Sequence, residues 1–275
     1  MLDPAAFSLL RVARQGATAT LELHHGKANE IGSAVLAELE LLARSLRDDP
    51  EVRTLISTSR RTTSRGTPIF VAGADVTERA GWTEARVLAH VAWQRDVLRA
   101  LRDAPVFHVA VVGGVAFGWG TEFLLTADYR IAAPGASFAL PETGLGIVPG
   151  ACGTALLVEE LGVAHTLRLG MTGEPVDPAE ALRIGLVQEV AADLDAGLAR
   201  AQALADRAAT RSPTAVAAFK AAVRGGVGQS EAARVEAEQA AYALCVGSGE
   251  AAIGRAHFDD VRAGRVPPWG PRTAG

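Results

Sequence analysis

"VAFGWGTEFLLTAD" (115–128) sets two glycines around a tryptophan and places a glutamate two residues after the second glycine, all within an apolar run. A chain that brings glycine to a strand-to-helix turn gains backbone freedom and close approach there. The first N–H groups of the helix that follows have no intrahelical acceptor and lie at the positive end of the helix dipole. Such a turn binds an anion or stabilises a developing oxyanion; it also serves plain packing, and the stretch alone leaves both readings open. The dinucleotide fingerprint fails, because Phe123 stands where its third glycine belongs. Neither a G-x-x-x-x-G-K-[ST] loop nor a G-x-S-x-G elbow occurs.

Two further stretches repeat the theme. "FVAGADV" (70–76) runs from apolar strand through glycine to a helix start, with Asp75 in the first turn. Two turns of this kind can each supply one N–H to a shared oxygen. "SFALPETGLGIVPGACGT" (137–154) sets Glu142 behind Pro141 among apolar residues and glycines. Desolvation there raises a carboxyl pKa, which suits proton transfer near neutral pH. Glu122 and Glu142, each at an element end, form a pair able to divide acid and base roles.

The surrounding pattern is mixed α/β. Strands are expected over 17–25, over "VRTLISTS", over "IFVAGADV", over 106–117, at "YRIAAPG", at "SFALPE" and at "VQEV". Helices are expected over 33–49, with Leu36, Leu39, Leu42 and Leu46 in register and Ser33 as cap, and over 84–103. "RRTTSRGTP" reads as a polar basic loop, 195–255 as alanine-rich helix, and "GRVPPWGPRTAG" as an irregular tail. The order strand, strand, helix lacks the β-α-β alternation of a doubly wound sheet. It points to an α/β core over 1–195 and a helical region over 196–275.

Bulk properties exclude several partners. Net charge is -4, with no clustered basic stripe, which argues against nucleic acid. No apolar run reaches the roughly 20 residues of a membrane span. Two cysteines make neither a disulfide framework nor a metal set, and no secretory signal is visible. These point to a cytoplasmic protein without a metal. His108, in an apolar strand, reads as a satisfied core histidine.

Taken in order, "FVAGADV", "GGVAFGWGTEFLLTADYRIA" and "FALPETGLGIVPGACGT" resemble the enoyl-CoA hydratase/isomerase (crotonase) family, with "HHGKANEI" and "GEPVDPAEALRIGLVQEV" in matching places. The resemblance implies a crotonase-like spiral of ββα units with a C-terminal helical trimerisation region, assembled as a homotrimer or a dimer of trimers. It implies an acyl-CoA thioester substrate and no separate cofactor, CoA being part of the substrate. The backbone N–H groups of Ala74 and Trp119 would form an oxyanion hole for the thioester carbonyl. Glu122 would activate water and Glu142 would exchange a proton at C2, giving hydration of a 2-enoyl-CoA to a 3-hydroxyacyl-CoA. Lys27, Ala28, Ala72, Gly73, Asp75, Gly118, Pro141 and Gly150 would line the substrate and its CoA. Double-bond isomerisation by Glu142 alone, and a non-catalytic CoA-binding scaffold, are the alternatives. Trp119 departs from the glycine usual in the family, which is compatible with the oxyanion hole only if its φ is negative. The loop with Arg60, Arg61 and Arg65 is longer than the family implies.

Overall fold

The structure, a computed structural model, describes residues 1–273; residues 274 and 275, the end of the tail expected to be irregular, lie outside the described residues. In chain order the strands are β1 (Leu10–Gln15), β2 (Thr18–Leu23), β3 (Thr54–Thr58), β4 (Arg61–Thr62), β5 (Pro68–Val71), β6 (Phe107–Val112), β7 (Val115–Phe117), β8 (Tyr129–Ala132), β9 (Ser137–Ala139) and β10 (Glu189–Val190). The helices are α1 (Ser33–Asp48), α2 (Glu84–Arg102), α3 (Trp119–Leu124), α4 (Gly153–Thr172), α5 (Pro178–Arg183), α6 (Leu194–Ala209), α7 (Pro213–Gly226), α8 (Glu231–Gly247), α9 (Glu250–Ala256) and α10 (Phe258–Arg262).

One sheet has the order β1-β2-β3-β6-β8-β10 and the other β4-β5-β7-β9. From β3 onward the chain lays a strand in the first sheet, then one in the second, then a helix, and repeats: β3, β5, α2; β6, β7, α3; β8, β9, α4. This is the spiral of ββα units that the resemblance implied. Neighbours within each sheet are parallel, except the antiparallel pairs β1–β2 and β4–β5.

The single strand expected over 106–117 is two strands in different sheets. The break is Gly113-Gly114, and a Cβ on Gly114 would stand 2.4 Å from the carbonyl carbon of Pro68. Only glycine lets the chain cross that closely to the second sheet. β6 is apolar apart from the buried His108, because both its faces are covered. Val109 and Val111 pack with Ile56, Ile131 and the Ala201 and Ala205 face of α6. Ala110 and Val112 pack into the main core on the other side.

Leu36, Leu39, Leu42 and Leu46 of α1 are all buried. The expected cap is corrected by one residue: Gly32 is the N-cap and Ser33 is already helical. The Ser33 N–H is satisfied from a distance, by Glu78 Oε2 at 2.7 Å. The basic loop contains the short strand β4, which pairs with β5. The antiparallel strand β1 was not foreseen, although "LRVARQ" points Leu10 inward and Arg11 outward. Within 153–172 the helix breaks at Gly162, whose φ is 74°.

Candidate active site

Three parallel strands of the smaller sheet stand side by side and end on the same edge. β5 pairs with β7 through Ile69–Val115 and Val71–Ala116, and β7 pairs with β9 through Phe117–Ala139. Ala72–Asp75 leave β5, Gly118–Trp119 leave β7, and Pro141–Glu142 leave β9. Crevices at the carboxyl ends of parallel strands are where α/β proteins place their ligands. The sheet order therefore gathers three turns that lie far apart in sequence.

Both glycine turns hold an amide free. The segment 28–31 runs beside 72–75: Ala72 N–H donates to Ala28 O, Ile31 N–H to Gly73 O and Asp75 N–H to Ile31 O, each at 3.0 Å. The flanking amides are thereby used, and among the described residues the Ala74 N–H has no protein acceptor. The same holds for the Trp119 N–H, which opens α3. Gly73 has φ 140° and Gly118 has φ 51°. Trp119 is not among the residues with positive φ, so its side chain costs the turn no backbone strain. A Cβ on Gly118 would stand 2.7 Å from Glu142 Oε1, and one on Gly120 would stand 2.4 Å from Val71 O. The first glycine admits the carboxyl group; the second seats α3 against β5.

Glu122 is 2% exposed. Its Oε1 accepts from the amides of Ala151 and Gly153, both at 2.7 Å. Gly153 begins α4, and Cys152, at φ 82°, lies between the two donors. Burial pushes the Glu122 carboxyl up to about 7; the Glu142 charge adds to the rise, while the Gly153 and Ala151 amides and Arg95 oppose it. Glu142 lies buried on the 3₁₀ turn Pro141–Leu145, and burial raises its carboxyl too, as its apolar setting implied. Its Oε2 is buried without a protein partner. The two acids are close enough to sense each other's charge.

The other expected site residues fall in three places. Ala72, Gly73 and Asp75 lie on the β5 turn with Ala28 bonded across from them, and Lys27 is exposed on the adjoining loop. Asp75 accepts from the Thr77 hydroxyl at 2.5 Å and from the Thr77 and Glu78 amides at 3.0 and 3.3 Å, and these bonds hold its carboxyl below the usual range. Gly150 is a packing position, where a Cβ would stand 2.8 Å from Val91 Cγ1 of α2. Arg61 bonds Gly26 O and His24 on the Lys27 loop, and Arg60 pairs with Asp195. His108 is fully buried, bonded by Ser57 Oγ at 2.7 Å, and burial lowers it to about 4. Among the described residues no group of His, Cys, Asp and Glu is placed to hold a metal ion, and no helix is long and apolar enough to cross a membrane.

Sequence reasoning missed the Ala151 and Gly153 amides and Asn29. Asn29 has φ 56°, and its side-chain amide ties Leu23 O, Ser59 Oγ and Phe70 O together at 2.8–3.1 Å. The available signal was asparagine in a polar turn, one of the few residues that tolerate that backbone region. Backbone donors carry no such signal, since every residue but proline has one.

Known proteins resemble this chain in sequence and in fold. The sequence model of the enoyl-CoA hydratase/isomerase family matches residues 13–263. The mouse enoyl-CoA hydratase domain-containing protein 2, mitochondrial, is 34% identical over 252 residues, covering 90% of this chain and 83% of its own. The rat methylglutaconyl-CoA hydratase, mitochondrial, is 31% identical over 242 residues, covering 86% of this chain and 75% of its own. The crystal structure of an enoyl-CoA hydratase from Bacillus anthracis superimposes with a TM-score of 0.86 at 30% identity, covering 95% of this chain and 99% of that one.

Proposed function

The chain belongs to the enoyl-CoA hydratase/isomerase family, and we propose that within it this protein is a hydratase, adding water across the 2,3 double bond of an enoyl-CoA thioester. What supports the reading is two turn amides without a protein acceptor beside two buried carboxyl groups, both raised by burial. An isomerase needs one acid/base; hydration needs one group for water and another for C2.

In this mechanism the thioester oxygen accepts from the Ala74 and Trp119 amides. They stabilise the enolate-like charge that develops as C3 is attacked, an effect of roughly 3 kcal/mol per donor in comparable sites. Ionised Glu122 takes a proton from water while the water oxygen bonds to C3. Protonated Glu142 delivers its proton to C2, on the same face. The product is a 3-hydroxyacyl-CoA, and proton exchange with solvent resets the acids. The two amides bonded to Glu122 Oε1 orient the carboxylate for this role. The conjugated thioester is the electron sink, so the scheme uses no further cofactor. Lys27, Ala28 and Ala72 border the CoA arm in this reading. Two free cysteines accord with a reducing compartment such as the cytoplasm.

The test is turnover of a panel of 2-enoyl-CoA and 3-enoyl-CoA thioesters by the wild-type protein, Glu122→Gln and Glu142→Gln. Hydration of 2-enoyl-CoA with kcat lowered about 10²–10⁴-fold in each variant supports the assignment. Migration of a 3-enoyl double bond, indifferent to Glu122→Gln, would replace it with an isomerase. Turnover unchanged in both variants ends the catalytic assignment.

A further inference from the structure

Two side-chain atoms that are buried without a partner belong to residues meeting at Gly118. One is Glu142 Oε2, whose carboxyl group packs against Gly118; the other is Nε1 of Trp119, the next residue. The proposed reaction uses the first and leaves the second unexplained. The Trp119 side chain belongs to the buried core, and its ring stacks on Phe123 with centroids 5.7 Å apart and planes 27° apart. The two residues are one helical turn apart on α3, so the indole lies toward the N-terminal end of that helix. That is the end from which the free Trp119 amide projects. Phe123 in turn packs on Phe70 of β5 and His108 of β6, which closes the inner side of the stack.

The indole nitrogen is only one side chain's length from the amide proposed to hold the thioester oxygen. In that reading the acyl carbons beyond C3 fall within a comparable reach of the same oxygen. Native interiors keep few buried donors unpaired. Phenylalanine would fill an apolar stack without leaving a donor there. Tryptophan instead leaves an N–H, which is what a site needs to distinguish an oxygen-bearing ligand from a hydrocarbon one.

Resting on the acyl-thioester reading above, we infer that Trp119 Nε1–H donates a hydrogen bond to an oxygen on the acyl chain. The preferred substrates are then enoyl-CoA thioesters carrying a hydroxyl, carbonyl or carboxylate oxygen a few bonds beyond C3, rather than plain alkyl chains. The experiment measures dissociation constants for two saturated acyl-CoA thioesters of equal chain length, one plain and one with a side-chain oxygen, on the wild-type protein and on Trp119→Phe. Binding of saturated thioesters needs no turnover, so the result stands apart from the hydration assay. The expected result is about tenfold tighter binding of the oxygenated thioester by the wild type, falling to parity in Trp119→Phe. Equal binding of the two by the wild type overturns the inference without reliance on any variant. So does a preference that survives Trp119→Phe. Loss of hydration with the binding preference intact would overturn the hydratase reading alone.

Discussion

Glu122 is pulled in two directions. Burial favours its neutral form, while two amides favour the carboxylate, and burial wins, leaving the group near 7. A water-activating base must be ionised, so kcat/KM is expected to rise with pH through about 7. Burial also raises Glu142, which favours the protonated form that its role as acid needs. In Glu122→Gln the rise through about 7 should disappear from any residual activity. Stability follows the same group. Its folded value lies above the unfolded 4.5, so its contribution is fully present below 4.5 and is lost as pH rises through about 7. The loss amounts to about 3 kcal/mol at most. Denaturant midpoints should therefore show Glu122→Gln gaining on the wild type between about pH 4 and about pH 8; a difference that does not change with pH refutes the shift.

Helix α3 has six residues and owes its position to glycine. At Gly120 an added methyl would meet backbone, the Val71 carbonyl oxygen at 2.4 Å, and backbone in a sheet yields little. Gly120→Ala should cost about 1–3 kcal/mol, read as a lower urea midpoint at unchanged m. At Gly153 the methyl would meet side chains, Glu122 Oε1 and Pro149 Cβ, both at 2.9 Å, and these yield more than sheet backbone does. Gly153→Ala should lower kcat at least about tenfold by displacing Glu122, with a smaller change in midpoint than Gly120→Ala. The reverse ranking of the two midpoints would contradict the contacts. The same distinction explains the sequence reading of 106–117 as one strand. Its apolar run was legible, but the clash at Gly114 that sends β7 into the other sheet involves Pro68, far away in the chain.

The C-terminal helices leave large apolar groups uncovered, among them Phe219 and Val223 of α7, Tyr242 of α8 and Phe258 of α10. Apolar surface on this scale fits burial between copies of the chain. Light scattering is expected to give three or six times the 28.5 kDa chain mass, and Phe219→Asp with Val223→Asp should shift it toward one. A monomeric wild type would refute this. The tail also reaches back to the core: buried Arg272 donates to the carbonyls of Leu46, Arg47, Asp49, Val52 and Pro105. Arg272→Ala strands several of these acceptors and should cost about 2–4 kcal/mol in thermal or urea unfolding.

Residue order alone determined the local features: the leucine face of α1, the glycine turns around Ala74 and Trp119, the apolar setting of Glu142, and the ordered motifs that carry the family likeness. Periodicity and turn chemistry act over a few residues, so they are written where they operate. Tertiary structure decided which strand joins which sheet, that amides from 151 and 153 hold Glu122, that Asn29 braces the β5 turn, and that an irregular tail delivers Arg272 to the core. Each of these joins groups distant along the chain through backbone atoms or parallel pairing. Such partners are chosen by three-dimensional packing and leave no periodic mark in the sequence.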